Sequence, residues 1–555
     1  MEQFFALIDT INGILLSVPM LVGLLLIGLL FTLWSGFCQY RSLTHGVALV
    51  AGKGIDTSHG PGALTHFQAL TAALSGTVGL GAIAGMAIAV ELGGPGAMFW
   101  MWTVGIVGMA LKSTEVTLSL LYRDVSDPEN PHGGSMFVAR EGLGTLRPGW
   151  KKFGTAVGGA FAMSLMLFAF TGGNMFQAWN VGDTTREYFG VPTWISGAIL
   201  ATVAAIVLLG GIKRVGNVTK TLVPIKCGLY VLVGLWVILL HAEELPDLFK
   251  LIFTSAFSRA DGMGAFTGGV AGSAFMFGMK RALFSSESGL GTAPIAHSAV
   301  KTPEPVTEGV VAGLEPFIDT IFVCTVTGLV ILTTGVWNRG AAGQWAQTPA
   351  IVEVAPGHWA PDVREPPAGF EWKSGAPVFV IAQPVTAPTP GVDRSRIYGV
   401  IKQDGDTSTI AWTAINAPGP MRLAEAGLFA DYRGATLVAK SFDTVHQGLG
   451  GWLITIAVWV FALSTIITYG YYGEQGVIYL AGAKWVQPYR VLWCLAALAA
   501  CLGFIKTSEQ LDSLSTIGMG FMYAINLPMM VIMGSKAMSA YHSYFRRLKA
   551  GLIRR

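Results

Sequence analysis

Apolar residues run in blocks along most of the chain, near 16–37, 68–91, 96–121, 155–178, 194–211, 218–241, 264–285, 307–335, 449–474, 488–505 and 514–537. A helix needs about 20 such residues to cross the hydrocarbon of a bilayer. The pattern therefore predicts an all-α polytopic membrane protein with about eleven transmembrane helices. From 337 to 447 the period changes. That segment is polar and proline-rich, and runs such as Pro377-Val378-Phe379-Val380-Ile381 and Thr409-Ile410-Ala411-Trp412-Thr413 predict short strands. The expected organisation is a membrane domain in two parts, 1–336 and 448–555, separated by a small β-rich insertion at 337–447.

Composition agrees with the pattern. Hydrophobic residues make up 52% and charged residues 12%, with a mean hydropathy of +0.55, whereas soluble domains carry about 25% charged residues. The net charge of +3 is small and no basic run points to nucleic acid. Cys38, Cys227, Cys324, Cys494 and Cys501 lie in apolar stretches without a C-x-x-C pair, which argues against a disulfide framework or a zinc site. Basic residues collect in alternate loops, as at Arg123, Arg140, Arg147, Lys151 and Lys152 and in the tail at Arg546, Arg547 and Lys549, while Glu2 and Asp9 precede the first block. By the positive-inside rule the amino terminus is expected outside, the carboxyl terminus in the cytoplasm, and the chain in the cell (inner) membrane. The insertion is then extracytoplasmic, either a cap over a gate or a docking surface for a partner. The first block lacks a basic n-region and a small-residue cleavage site, so it is expected to remain in the mature protein.

The most informative stretch is Gln68 to Gly85, where Ser75, Thr77, Gly79, Gly81 and Gly85 interrupt a span that a plain anchor would fill with Leu. Gly81 and Gly85 also form a G-x-x-x-G pair that lets helices approach closely. An interrupted helix offers more: carbonyls of its first half face the gap and suit a cation, and amides opening the second half suit an anion. A second interruption, Gly268 to Gly291, lies five spans later, and paired interruptions in two halves point to an inverted repeat with its substrate site at mid-membrane. Ser464 and Thr465 place adjacent hydroxyls in mid-span, fit either to ligate a small cation or to bond back to the preceding turn. Asn174 and Gln177 are amides one turn apart inside a span, for function or for interhelical hydrogen bonds. No G-x-x-x-x-G-K-[ST] loop suggests ATP coupling, and no catalytic constellation is present, so neither an enzyme nor a cofactor is expected.

These motifs resemble the alanine or glycine:cation symporters. The resemblance is carried by Gln68 to Gly85, Gly93-Gly94-Pro95-Gly96-Ala97-Met98-Phe99-Trp100, Lys280 to Gly291 with Ala293-Pro294-Ile295-Ala296-His297, Phe317-Ile318-Asp319-Thr320, and Ser464-Thr465 with Tyr471-Tyr472-Gly473-Glu474. It implies a five-plus-five inverted repeat of the leucine-transporter type plus an extra first helix, and import of a small neutral amino acid such as alanine or glycine driven by sodium or protons. It further implies a sodium site from carbonyls of Ser75 and Val78 and hydroxyls of Ser464 and Thr465. The substrate site it implies comprises Thr77, Gly79, Ala82, amides of Leu80 and Gly81 for the carboxylate, and a wall from Asn174, Gln177, Gly272, Ser273 and Tyr469. Two positions depart from the family pattern. Ala82 stands where Asn is usual, removing an amide able to ligate substrate or a second ion, and Tyr469 replaces a usual Trp. A transporter-derived amino-acid sensor and a sodium-independent exchanger are the competing expectations.

Overall fold

The computed structural model describes residues 2–53, 60–257, 273–367, 372–385, 394–404, 407–432, 434–505 and 508–553. Among these, seven helices are long and apolar enough to cross a membrane: Leu7–Trp34, Ala97–Leu121, Lys151–Phe189, Gly211–Leu240, Pro305–Thr333, Leu449–Ala481 and Gln510–Lys549. The pair His66–Thr77 and Gly81–Gly93, bent by 53°, adds an eighth if read as one broken span. The described part of block 264–285 lies on helix Ser273–Ser286, and the other two remaining blocks fall on shorter helices, Thr193–Leu208 (16 residues) and Val486–Ala500 (15 residues). At about 1.5 Å per residue these fall short of about 30 Å of hydrocarbon. Among the helices outside the apolar blocks are Leu245–Ser255 between spans and the first helix Glu2–Leu15, most of which the span Leu7–Trp34 takes in.

The helices share one core, and the small residues in it set how closely they pack. Val18–Trp34 lies against Ala97–Leu121, where a Cβ on Gly28 would sit 2.8 Å from Val107 Cβ. Leu26, Leu229, Leu232, Leu239, Leu492 and Leu495 are exposed on the outer faces, as side chains that meet lipid would be.

Strands occupy the segment where alternation predicts them. They are β1 (Gly343–Gln344), β2 (Ile351–Ala355), β3 (His358–Pro361), β4 (Pro377–Pro384), β5 (Ser395–Asp404), β6 (Thr407–Trp412), β7 (Ile415–Asn416), β8 (Met421–Leu423) and β9 (Gly427–Ala430). One sheet runs β1-β9-β4-β5-β6 with β8 also on β4, and a second runs β2-β3-β7. Because side chains alternate along a strand, Val378, Val380 and Ala382 of β4 enter one small core while Phe379 and Ile381 enter another with Phe429. The sheet is tied to the helices through β5. The Arg396 guanidinium donates from Nη1 to Glu91 Oε1 at 2.5 Å, at the end of the second half of the bent helix, and lies 4.5 Å from the Phe379 ring centroid. Helix Ala435–Asp443, still within the 337–447 segment, packs into the main helical core through Leu437, Val438, Ala439 and Phe442.

Candidate substrate and cation site

The first half of the bent span begins at a reciprocal cap. Thr65 Oγ1 accepts from Gln68 N at 3.2 Å, and Gln68 Oε1 accepts from Thr65 N at 3.0 Å. The helix stops after Thr77 because Val78 turns to ψ 68. Gly79 N, which in a continuous helix would close on Ser75 O, turns back to Thr77 O at 2.8 Å, and Ala82 N closes on Gly79 O at 3.2 Å. A wide π-type turn, Gly81–Gly85, then leads into Met86–Gly93. Gly79 is needed here, since a Cβ would lie 2.7 Å from Thr465 Oγ1.

The interruption is met by helix Leu449–Ala481. Ser75 O accepts from Ser464 Oγ and from Thr465 Oγ1, each at 3.2 Å, and Ser75 Oγ donates to Ser464 O at 2.8 Å. Both hydroxyls also reach Phe461 O, at 2.8 and 3.0 Å. A hydroxyl has one proton, so the bond within the helix and the bond across to Ser75 compete for it. Val78 O receives Lys226 Nζ at 2.7 Å, and the same Nζ donates to Ser464 Oγ at 2.5 Å. The residues expected to ring a sodium ion are thus brought together, and Lys226 lies among them.

On the far side of the interruption is a narrow cavity. Thr77, Gly79, Leu80, Gly81, Gln177 and Tyr469, all expected at the substrate, line it, together with Phe168, Gly172, Gly173, Phe284, Glu287 and Thr465. Other expected residues do not. Ala82 is fully buried outside the lining, and Asn174 donates to Trp493 O at 2.7 Å, toward helix Val486–Ala500. Ser273 opens helix Ser273–Ser286, and Gly272 lies outside the described residues.

Polar groups in the cavity are few and specific. Tyr469 Oη donates to Glu287 Oε1, and Glu287 Oε2 accepts from Thr292 Oγ1 at 2.7 Å. Gln177 Nε2 donates to Gly172 O at 3.1 Å, while its Oε1 is buried with no hydrogen-bond partner among the described residues. Glu287 sits in the non-helical step between Ser273–Ser286 and Ala293–His297, with φ 50. Sequence reasoning placed Glu287 where a helix leaves the membrane and did not single out Lys226. The available signal was a charged residue within an apolar span, which is a functional hypothesis by default.

Beyond Glu287 lies a buried chain of charged groups. Glu115 Oε2 accepts from Gly291 N at 3.1 Å and from Asn526 Nδ2 at 3.0 Å. Lys112 Nζ lies 3.2 Å from Glu315 Oε2, and His297 bridges Glu315 at 2.7 Å and Glu308 at 2.5 Å. Glu308 also pairs with His66 Nδ1. The network holds the step after Ser286 against its neighbouring helices.

The family model described as the sodium:alanine symporter family matches residues 1–363 and 418–555. The intervening 364–417 falls among the strands. A sodium/alanine symporter of Methanococcus maripaludis is 34% identical over 89% of this chain and 88% of its own length. A putative sodium/proton-dependent alanine carrier protein of Bacillus subtilis is 30% identical over 98% of this chain and 93% of its own. A probable sodium/glutamine symporter of Bacillus subtilis is 32% identical over 63% of this chain and 70% of its own.

Proposed function

Because the chain belongs to the sodium:alanine symporter family, and is therefore a multi-pass membrane transporter of amino acids and not an enzyme, we propose that it imports a small neutral amino acid, alanine or glycine, by cation-coupled alternating access. The observation that carries this reading is the cavity at the interrupted helix. The opening amides of a helix lack intrahelical acceptors, so those of Leu80 and Gly81 suit the substrate carboxylate. The unpartnered Gln177 Oε1 suits its ammonium. Phe168, Phe284 and Tyr469 wall the space and limit the side chain to a small one.

In this reading the two parts 1–336 and 448–555 form one transport domain built as a five-plus-five inverted repeat after an extra first helix. The amino terminus lies outside the cell membrane, the carboxyl terminus lies in the cytoplasm, and the 337–447 insertion is extracytoplasmic. The relatives' names leave the coupling ion between sodium and proton. They also keep a larger neutral substrate, glutamine, as the alternative. Counterflow of labelled alanine, glycine and glutamine in proteoliposomes tests the proposal. Exchange of alanine or glycine is expected, and binding without exchange of any of the three would favour a sensor instead.

A further inference from the structure

An apolar groove runs between the spans Gly211–Leu240 and Leu449–Ala481. Its floor is Lys226, Tyr230, Phe442 and Phe461, all buried, and its rim is Ile225, Leu229 and Ile456, all exposed. The polar ends of the floor residues are engaged elsewhere. Lys226 Nζ donates to Val78 O at 2.7 Å and to Ser464 Oγ at 2.5 Å, and Tyr230 Oη is bonded to Thr327 Oγ1 at 2.9 Å. What is left for the groove is hydrocarbon: the stem of the lysine and the tyrosine ring, which stands edge-on to Phe442 at 6.5 Å and to Phe461 at 5.9 Å between centroids. We propose that this groove is a lipid-binding site that seats one acyl chain of a bilayer phospholipid, and that the seated chain steadies the interrupted helix through Lys226 and Phe461.

The occupant follows from where the groove lies. Both of its walls are membrane spans, and its rim continues into the outward leucines of the same surface, Leu232 being one turn on from Leu229. An apolar gap offers water no partners, and left empty it forfeits the dispersion contacts of its lining. Hydrocarbon from the bilayer is what fills it. The lining runs from Ile225 to Val233 on one span and from Leu453 to Phe461 on the other, which at about 1.5 Å per residue is a length of about 12 Å. An acyl chain reaches about 15 Å, half of the hydrocarbon thickness, whereas a further transmembrane helix would need a matching stripe along about 30 Å. The length suits a single chain and falls well short of a helix.

The floor of the groove backs onto the interruption. The Phe461 ring centroid lies 4.6 Å from Lys226 Nζ, and Phe461 O accepts from Ser464 Oγ at 2.8 Å and from Thr465 Oγ1 at 3.0 Å. The same two hydroxyls donate to Ser75 O, and Lys226 joins Val78 O to Ser464. A chain packed against the ring and the lysine stem confines both to one rotamer, and so keeps the first half of the bent helix fastened to Leu449–Ala481. With the groove vacated, ring and stem are free to turn outward and the fastening loosens.

The test uses the full chain in lipid nanodiscs, and neither of its measurements depends on which substrate is carried. In the first, a phosphatidylcholine with a diazirine on its acyl chain is photolysed and the adducts are mapped by mass spectrometry. Val233 lines the groove, while its neighbour Leu232 is exposed at the same depth and reports the bulk lipid. More adduct at Val233 and Phe461 than at Leu232 is expected, and loss of that excess in Ala457→Trp, whose indole fills the groove. Labelling of the wild type no higher in the groove than at Leu232, or an excess that survives in the variant, would overturn the seat. In the second, hydrogen exchange of the backbone amides from Gly76 to Gly85 is compared in phosphatidylcholines with straight chains and with methyl-branched phytanoyl chains, which are too wide to seat. Exchange in the wild type is expected to be about fivefold faster with branched chains, equivalent to about 1 kcal/mol, and Ala457→Trp is expected to exchange alike in both. No difference in the wild type, or the same difference in the variant, would overturn the steadying role. If Ala457→Trp fails to give a folded size-exclusion profile, Val460→Trp, which also fills the groove, takes its place, and the two wild-type measurements decide if neither folds.

Discussion

Gly173 gives a sharp test of the cavity wall. A Cβ at this position would lie 2.4 Å from Tyr469 Cγ, against the 3.4 Å at which ordinary contact begins, so alanine requires a displacement of about 1 Å. Tyr469 has little room to yield. Phe168 packs against its ring at 5.5 Å between centroids, Tyr472 at 5.1 Å, and its hydroxyl is bonded to Glu287. The remaining free volume is the cavity itself, so the ring is pushed into the space proposed for substrate. Overpacking of this kind costs about 1–3 kcal/mol, which, if it falls on binding, raises KM about 5- to 150-fold. The effect should be larger for alanine than for glycine, because the added methyl of the substrate competes for the lost space. The comparison is Gly76→Ala, whose Cβ would meet Thr468 Cγ2 at 3.4 Å and Tyr469 Cε2 at 3.5 Å. That contact is ordinary, and alanine is the better helix former by about 1 kcal/mol, so a smaller change in KM is expected. Initial rates of labelled alanine and glycine transport in proteoliposomes give the KM values. A Gly173→Ala protein with wild-type KM for both would refute the placement of Tyr469 at the substrate.

Two other substitutions probe the polar parts of the site. Tyr469→Phe removes the donor to Glu287 Oε1 and leaves a buried carboxylate oxygen unsatisfied, at a cost of about 1–3 kcal/mol. Substrate affinity, read from ligand-induced thermal stabilisation, should fall, and unchanged affinity would mean the hydroxyl plays no part. Glu308→Ala leaves His66 and His297 without their shared carboxylate in a fully buried setting, which costs about 3–5 kcal/mol. A clear drop in Tm in detergent is expected, and a wild-type Tm would show that the network does not hold the fold.

What the sequence made legible depended on whether the signal was local. The broken helix could be read because Thr77, Gly79 and Gly81 are poor residues for a lipid-facing anchor, and the chain is interrupted at Val78 and Gly79. Alternation in Pro377 to Ile381 announced β4 for the same reason. Asn174 shows where local spacing fails. It lies three residues before Gln177, yet the wide π-type turn Ala169–Met175 shifts the helical phase between them, so Gln177 lines the cavity while Asn174 faces Trp493. Glu287 sits in the polar run Ser285-Ser286-Glu287-Ser288-Gly289, which reads as the end of a span, and only tertiary contacts bring it beside Tyr469. Lys226 was obscured by Lys213, Arg214 and Lys220, which begin the same helix and suggest a loop. Its partners Val78 and Ser464 come from segments distant in sequence, and no spacing rule connects them.

The Arg396–Glu91 bridge ties the strand-rich segment to the second half of the bent helix. Glu91 ends the half-helix that swings if the interruption at Val78 and Gly79 is the hinge, and Arg396 grips it from β5 through both its carboxylate and its backbone oxygen, the latter at 3.3 Å. Linkage is reciprocal. An antibody or small protein that clasps the sheet more tightly in one stage of the transport cycle must alter the grip on cargo by the same factor, and cargo must alter the clasp. With the 337–447 segment on the extracytoplasmic side, as proposed, the sheet offers a purchase for inhibitors that never enter the membrane.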